Sequence, residues 1–123
     1  KIWQKNYISH EIETITLTEF AKENNIDYID FLKIDVEGHE YSVLQGAQAL
    51  IKNKKIGIIQ FEFGEMNVES RVFLRDILEL LSDYSVYRLL PKGMLPIVKY
   101  SALNHEIFFY QNLVAIHNDH TKI

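Results

Sequence analysis

Two long apolar runs, each followed by a helical pattern, constrain the fold of this chain more than any other feature. The first run, residues 28–36, is β-branched, aromatic and nearly continuous in apolar character, which is typical of a central strand buried on both faces. Apolar residues then recur at the spacing of one helix face over 43–51. The second run, 56–63, repeats the strand pattern, and a helix is predicted over 69–82. Two successive strand–helix units predict parallel strands joined by right-handed crossovers.

The flanking segments predict further elements on both sides of this pair. Residues 12–17 alternate as a short strand would, and Thr16 with Glu19 forms a capping-box pattern that predicts a helix over 19–24. Three strand-like runs close the chain, with no helix predicted between them. They cover 84–90, 95–100 and 107–116, and the turn residues 91–94 predict a hairpin between the first two. The chain is therefore expected to form an α/β sheet whose parallel part is followed by an antiparallel edge.

Length and composition exclude several classes of protein. The 123 residues are enough for one core and one domain, 1–123, whose polar tail over 117–123 is expected to be frayed. A net charge of -4 argues against a nucleic-acid partner, and the lack of cysteine excludes disulfides and cysteine nucleophiles. No apolar run approaches the ~20 residues that span a bilayer, and no signal peptide opens the chain. The default expectation is a cytoplasmic protein without a membrane partner.

Charged residues collect where the two predicted parallel strands end. Ligands of open α/β sheets bind beyond the carboxyl ends of the strands, and neighbouring strands lie ~4.8 Å apart. The first end carries Asp35, Glu37 and His39, and the second carries Glu62. If the strands are neighbours, these side chains share one crevice, in which the imidazole or a carboxylate is a candidate proton carrier. The alternative for the first strand is structural, because Lys33 can neutralise a carboxylate beside it.

Other residues near the two strand ends have sufficient structural interpretations. Gly38 is expected to turn the chain from strand into helix, and Glu40 suits the positive end of the helix dipole. Glu65 and Asn67 are interpreted as loop or cap residues, and Tyr110, among other aromatic residues, as packing.

The carboxylates also suggest a divalent metal, although no complete metal or nucleotide motif accompanies them. Oxygen ligands suit magnesium, manganese or calcium rather than zinc. The chain contains no H-E-x-x-H, no G-x-G-x-x-G, no G-x-x-x-x-G-K-[ST] and no G-x-S-x-G. Zinc proteases, phosphate-cradling loops and α/β-hydrolases are therefore disfavoured.

Four stretches of the sequence resemble the FkbM-type family of S-adenosylmethionine-dependent methyltransferases. They are residues 15–20 (ITLTEF), 29–40 (IDFLKIDVEGHE), 43–47 (VLQGA) and 58–62 (IIQFE). The resemblance implies a Rossmann-like class I methyltransferase sheet, mostly parallel with an antiparallel C-terminal part. It also implies methylation of a hydroxyl on a sugar or other small-molecule acceptor, with S-adenosylmethionine as the methyl donor.

The same resemblance implies roles for the candidate site residues. Asp35, Glu37, His39 and Glu62 would line the reaction crevice as catalytic residues. Our hypothesis takes His39 or Asp35 as the base, with Glu37 and Glu62 orienting the acceptor or a metal. The resemblance leaves open whether magnesium takes part; if it does, its ligands would be Asp35, Glu37 and Glu62.

The glycine-rich turn that carries the cofactor in this family is missing from the chain, so no cofactor-binding residue is assigned. The sequence therefore resembles the C-terminal half of the domain, and its start at Lys1 without Met is expected of a fragment, a trimmed chain or a mature product. We expect the isolated chain to bind S-adenosylmethionine poorly and to be inactive. A half domain would present one bare sheet edge, which is expected to pair with the missing half or to form a homodimer.

Two other functions use the same features. A non-catalytic binding or dimerisation module would keep the sheet and lack the cofactor site. A metal-dependent phosphoryl hydrolase would use the same carboxylates, but the chain has no nucleophile motif or phosphate loop to accompany them.

Overall fold

The computed structural model describes residues 8–120, which form a mixed α/β structure with one five-stranded sheet. The strands are β1 (Ile29–Ile34), β2 (Ile56–Phe63), β3 (Tyr84–Leu90), β4 (Gly93–Pro96) and β5 (Gln111–His117). Their spatial order is β1-β2-β5-β3-β4. The helices are α1 (Leu17–Glu23), α2 (Glu40–Gly46), α3 (Gln48–Lys52), α4 (Met66–Ser70), α5 (Leu74–Leu80) and α6 (Ala102–His105).

The parallel pairing predicted from the two apolar runs is confirmed. β1 and β2 pair in parallel, with Ile29 opposite Ile56 and Ile34 opposite Phe61. The remaining pairs, β2 with β5, β5 with β3 and β3 with β4, are antiparallel. The predicted hairpin joins β3 to β4. The sheet therefore has a parallel part and an antiparallel part, as expected, but three of the four described strand pairs are antiparallel, so the mostly parallel sheet that the resemblance implied is not seen in residues 8–120.

The position of β1 differs from the prediction of a central strand buried on both faces. Within residues 8–120, β1 lies at the edge of the sheet, and β2 is its one strand neighbour. Its two faces also differ: Phe31 is 53% exposed, whereas Ile34, on the opposite face, is buried. The apolar sequence of β1 suits a strand covered on both faces, but among the described residues only the face that carries Ile34 is buried.

The segment before α1 is not the predicted short strand. Residues 8–16 have no regular secondary structure, and Ile12 and Ile15 are exposed. Alternation alone cannot form a strand without a partner for the backbone hydrogen bonds, and no described strand pairs with this segment. The capping box is confirmed: the Thr16 hydroxyl accepts from the Glu19 amide at 3.1 Å, and the Thr16 amide donates to the Glu19 carboxylate at 3.3 Å.

Other predicted elements are corrected as well, including the strand predicted over 95–100, which is β4 over Gly93–Pro96. The single helix predicted over 69–82 is divided into α4 and α5, because Arg71 adopts a left-handed conformation with φ of 57° and ends α4. A helix, α6, lies between the last two strands, where none was predicted. It follows the proline that ends β4, and β5 begins at Gln111 instead of Ile107.

The core lies between the sheet and α2, α3 and α5. Leu44 and Ile77 come from this helical side, and Ile59, Phe61 and Leu113 come from the sheet. All five are fully or almost fully buried. Removing the Phe61 ring would cost about 3–5 kcal/mol of stability, which is typical of a large buried side chain. This core fixes the carboxyl end of β2 relative to α2 and α5.

Residues 117–120, part of the segment expected to be frayed, make several contacts with the rest of the fold. His117 is the last residue of β5, is buried, and lies edge-on to the Tyr84 ring with centroids 5.0 Å apart. Asn118 accepts a 2.7 Å hydrogen bond from Ser85, and Asp119 pairs with Lys54. The rest of the predicted tail, 121–123, lies outside the described residues.

Among the helices of residues 8–120, none has the length and apolar character that crossing a membrane requires.

Candidate functional site

The carboxyl ends of β1 and β2 lie side by side, as the candidate site requires. Lys33 is opposite Gln60 and Ile34 is opposite Phe61. The residues that follow these pairs are Asp35 after β1 and Glu62 on β2. The two strands therefore deliver their acidic residues to the same edge of the sheet, which is the predicted relationship.

A small pocket lies at this edge, and we call it the acid pocket. Its volume is ≈ 70 Å³. It is lined by the loop after β1, the end of β2, the start of α4 and the residue before β5: Glu37, Gly38, Glu40, Glu62, Phe63, Gly64, Glu65, Met66, Asn67 and Tyr110. Four glutamates thus surround a space large enough for one functional group.

Two glycines allow the backbone segments around the acid pocket to approach closely. Gly38 has a φ of 97°, and a Cβ there would lie 2.9 Å from both Cβ and O of Met66. A Cβ on Gly64 would lie 3.2 Å from the Cα of Tyr110. Glu37, next to Gly38, also has a positive φ of 51°. A strained turn of this kind costs free energy and is commonly retained at functional sites.

Glu62 has a defined hydrogen-bond partner at the mouth of the pocket. The Tyr110 hydroxyl donates to Glu62 Oε1 at 2.7 Å and accepts from Asn112 Nδ2 at 3.1 Å. The Oδ1 atom of Asn112 accepts in turn from Gln60 Nε2 at 3.1 Å. This chain of bonds orients the carboxylate of Glu62. Tyr110 was interpreted from the sequence as packing, because only the antiparallel pairing of β2 and β5 brings it beside Glu62.

Glu40 and Asn67 are buried in the acid pocket, and each has one unpartnered polar atom. Their exposed fractions are 1% and 2%. Glu40 Oε1 accepts from the Val36 amide at 3.2 Å, and Asn67 Oδ1 accepts from the Gly64 amide at 2.9 Å. Glu40 Oε2 and Asn67 Nδ2 have no hydrogen-bond partner among the described residues. The sequence explained both residues as helix-start residues, so their burial was not foreseen.

Asp35 and His39, two of the four predicted site residues, do not line the acid pocket. Asp35 accepts a 2.7 Å hydrogen bond from Lys33 Nζ, and this bond, with the charge of Asp35, raises the pKa of Lys33. The structural alternative for Lys33 is therefore confirmed. His39 is exposed and lines a separate groove of ≈ 760 Å³ beside Val36 and Val43. Of the predicted residues, the acid pocket brings together Glu37 and Glu62.

The described residues do not fit a divalent metal. No group of three or more His, Asp or Glu side chains within residues 8–120 is arranged to hold a metal ion. The carboxylate of Asp35, one of the three suggested magnesium ligands, forms a salt bridge with Lys33. We therefore derive no catalytic step through a metal.

The acid pocket is also too small for a whole S-adenosylmethionine molecule. Sites for ligands of that size have volumes of roughly 300–1,000 Å³, against ≈ 70 Å³ for the acid pocket. The pocket can hold only part of an acceptor.

The sequence comparison agrees with the resemblance seen in the motifs. Residues 2–89 match the family model described as the methyltransferase FkbM domain. Neither the curated proteins nor the solved structures contain a match to this chain.

Proposed function

The chain belongs to the FkbM methyltransferase domain family, and from this we propose that it transfers a methyl group from S-adenosylmethionine to a hydroxyl oxygen of a small-molecule acceptor such as a sugar. The proposed acceptor site rests on one observation, the acid pocket, which Glu37 and Glu62 line from the ends of two parallel strands. Family membership supports the reaction class.

In this proposal the acceptor enters the acid pocket with its hydroxyl near Glu62. A hydroxyl becomes an effective nucleophile only as its proton leaves, so a neighbouring base accelerates its reaction. Tyr110 holds Oε1 of Glu62, which leaves Oε2 to receive the proton. Glu37 orients the acceptor. When bound, the cofactor supplies a methyl group on a positively charged sulfur.

Asp35 and His39 have different roles in this proposal from those of Glu37 and Glu62. Asp35 is held by Lys33 and shapes the end of β1, and His39 lies in the adjoining groove. Neither is the base, because neither lines the pocket that receives the hydroxyl.

We propose that the cofactor is held by residues outside the described part of the chain, on strands that continue a Rossmann-like sheet beyond β1. The edge position of β1, at which no described strand pairs with its outer side, supports this arrangement. It makes the chain the C-terminal half of a single methyltransferase domain. A homodimer through the same edge is the competing arrangement, and sedimentation of the isolated chain distinguishes them.

Labelled S-adenosylmethionine tests the proposed reaction. The protein encoded by the complete reading frame is incubated with a panel of sugars, and radiolabel is measured in the sugar fraction. We expect Glu62→Gln to reduce turnover at least tenfold and Asp35→Asn to reduce it much less. If turnover survives Glu62→Gln nearly intact, the assignment of the base is wrong.

The cofactor proposal has a separate test. Calorimetric titration of S-adenosylmethionine should give no measurable binding to the isolated chain and micromolar binding to the complete protein. Micromolar binding to the isolated chain contradicts the proposal. Acceptor binding without methyl transfer in the complete protein would favour the non-catalytic module instead.

A further inference from the structure

We infer that Glu40 and Asn67 form a subsite that binds one hydroxyl group of an uncharged, polyhydroxylated acceptor. This inference rests on the proposed function, because it names the substrate class of the same pocket. Neither residue was among the candidate catalytic residues of the sequence. The observation behind it is that two residues lining the acid pocket each keep one buried polar atom, Glu40 Oε2 and Asn67 Nδ2, without a hydrogen-bond partner among the described residues.

The orientation of both side chains is fixed by backbone amides. A backbone N–H can only donate, so the atom of Asn67 that binds the Gly64 amide must be the carbonyl oxygen. The amide nitrogen is therefore the atom left over. In the same way, the Val36 amide donates to Oε1 of Glu40, so Oε2 is the carboxylate oxygen without a partner. A buried polar atom without a partner is unfavourable, and a ligand that satisfies it is correspondingly favoured.

The two unpartnered atoms select the ligand by their hydrogen-bonding character. Oε2 of the Glu40 carboxylate accepts a hydrogen bond, and Nδ2 of Asn67 donates one. A hydroxyl group can donate to the first and accept from the second. An ammonium group or a metal ion would satisfy Glu40 but offers no acceptor to Asn67. An anion is disfavoured by the four glutamates of the pocket.

The size of the pocket limits the ligand to one arm of a larger molecule. A volume of ≈ 70 Å³ accommodates a hydroxyl group and its carbon, since a water molecule takes about 30 Å³ of liquid volume. Tyr110 also lines a neighbouring groove of ≈ 710 Å³, which contains Phe109 and Asn112. The body of the acceptor lies in that groove, its reacting hydroxyl lies beside Glu62 at the mouth of the acid pocket, and a second hydroxyl enters the pocket.

Exchanging the polarity of the pair tests the inference. Glu40→Gln replaces the free acceptor with a donor, and Asn67→Asp replaces the free donor with an acceptor. Each single variant then presents two like groups to the hydroxyl. The double variant Glu40→Gln/Asn67→Asp restores one donor and one acceptor in exchanged positions. Glu69→Gln, on the exposed side of α4 and outside the pocket, is the control for a carboxylate-to-amide change.

Two readouts are measured on the complete protein. The first is kcat and KM for the sugar acceptor, and the second is saturation-transfer NMR with the methyl glycosides of glucose, galactose, fucose and rhamnose. We expect each single variant to raise KM about tenfold or more with a smaller change in kcat, and to weaken the NMR signal of the bound glycoside. The double variant should recover most of both. Fully O-methylated glycosides should give no signal with any variant. Unfolding temperatures are recorded for all variants.

The outcomes separate this inference from the proposed function. Turnover with an unchanged KM in all three variants overturns the subsite and leaves the methyltransferase assignment standing. Glycoside binding that depends on the pair, without any methyl transfer, supports the subsite and overturns the assignment. If no glycoside binds and the variants change only the unfolding temperature, the pair holds an ordered water only and the inference is wrong. Should Glu40→Gln not fold, Asn67→Asp and the double variant carry the comparison.

Discussion

Gly38 packs directly against Met66, so that a side chain on Gly38 would meet the backbone of the first turn of α4. A Cβ there would lie 2.9 Å from the Met66 carbonyl oxygen. This contact joins the loop after β1 to the helix after β2. Both residues line the acid pocket, so the close approach of these two segments requires that residue 38 has no side chain.

Gly38→Ala should destabilise the protein by about 2–4 kcal/mol, because it adds backbone strain at positive φ to a steric clash with Met66. The free energy of unfolding in urea measures this loss. Gly93→Ala is the matched control: its φ is also positive, but no atom lies within 4 Å of the added Cβ. Equal losses at the two positions would show that the contact with Met66 is unimportant.

Tyr110→Phe should lower turnover roughly tenfold while changing the free energy of unfolding by less than about 1 kcal/mol. The substitution removes the hydroxyl that holds Glu62 Oε1 and leaves the exposed ring in place. Initial rates with labelled cofactor and urea unfolding are compared. Tyr28→Phe, which removes a hydroxyl 3.3 Å from His120 at the other end of β1, should leave turnover unchanged. A wild-type rate in the Tyr110→Phe variant would show that the Tyr110 hydroxyl has no role in the reaction.

Tyr84 should make the protein less stable at alkaline pH. Its hydroxyl donates to the Ile56 carbonyl at 2.8 Å, and burial, with smaller effects of Tyr28 and Asp83, raises its pKa to about 12. An unfolded tyrosine has a pKa near 10, so the folded state resists ionisation. This contribution to stability is complete below pH ~10 and is lost as the pH rises towards ~12.

The comparison of wild type with Tyr84→Phe isolates this effect. Between pH 9 and pH 11 the wild type should lose about 1 kcal/mol more stability than the variant, as the linkage of ionisation to folding requires. The raised pKa of Lys33 is present in both proteins and cancels. Urea unfolding at several pH values provides the measurement, and parallel curves for the two proteins would contradict the prediction.

Glu106 should stabilise the start of α5 from a distance of about thirty residues along the chain. Its two carboxylate oxygens accept from the amides of Leu74 at 2.8 Å and Arg75 at 3.0 Å. Glu106→Gln removes one acceptor and the negative charge at the helix start, and should cost about 1–2 kcal/mol. Thermal unfolding measures the loss. Glu79→Gln, in an exposed pair with Arg75, should change stability by less than about 0.5 kcal/mol; a similar loss in both variants would refute the role of Glu106.

The sequence determined the helices and strands that depend on interactions between residues close together in the chain. The apolar run of 56–63 is β2, whose alternate residues Ile59, Phe61 and Phe63 are buried while the other face is half-buried. Thr16 and Glu19 cap α1 through bonds only three residues apart. The parallel pairing of β1 with β2 followed from the helices between them, since a crossover of this length joins parallel strands. Glu37 and Glu62 were found in the same way, as the residues at two neighbouring strand ends.

The tertiary structure decided which side chains meet, because such contacts depend on strand order and on the paths of loops. Tyr110 reaches Glu62 only through the antiparallel pairing of β2 with β5, which no local pattern of the sequence specifies. Glu40 and Asn67 are buried at the acid pocket, where the segments after β1 and β2 meet, although each is a residue type common at the start of a helix. The edge position of β1 likewise depends on strand order. The apolar residues of β1 indicate how much of the strand can be buried, but they do not specify which strand pairs with it.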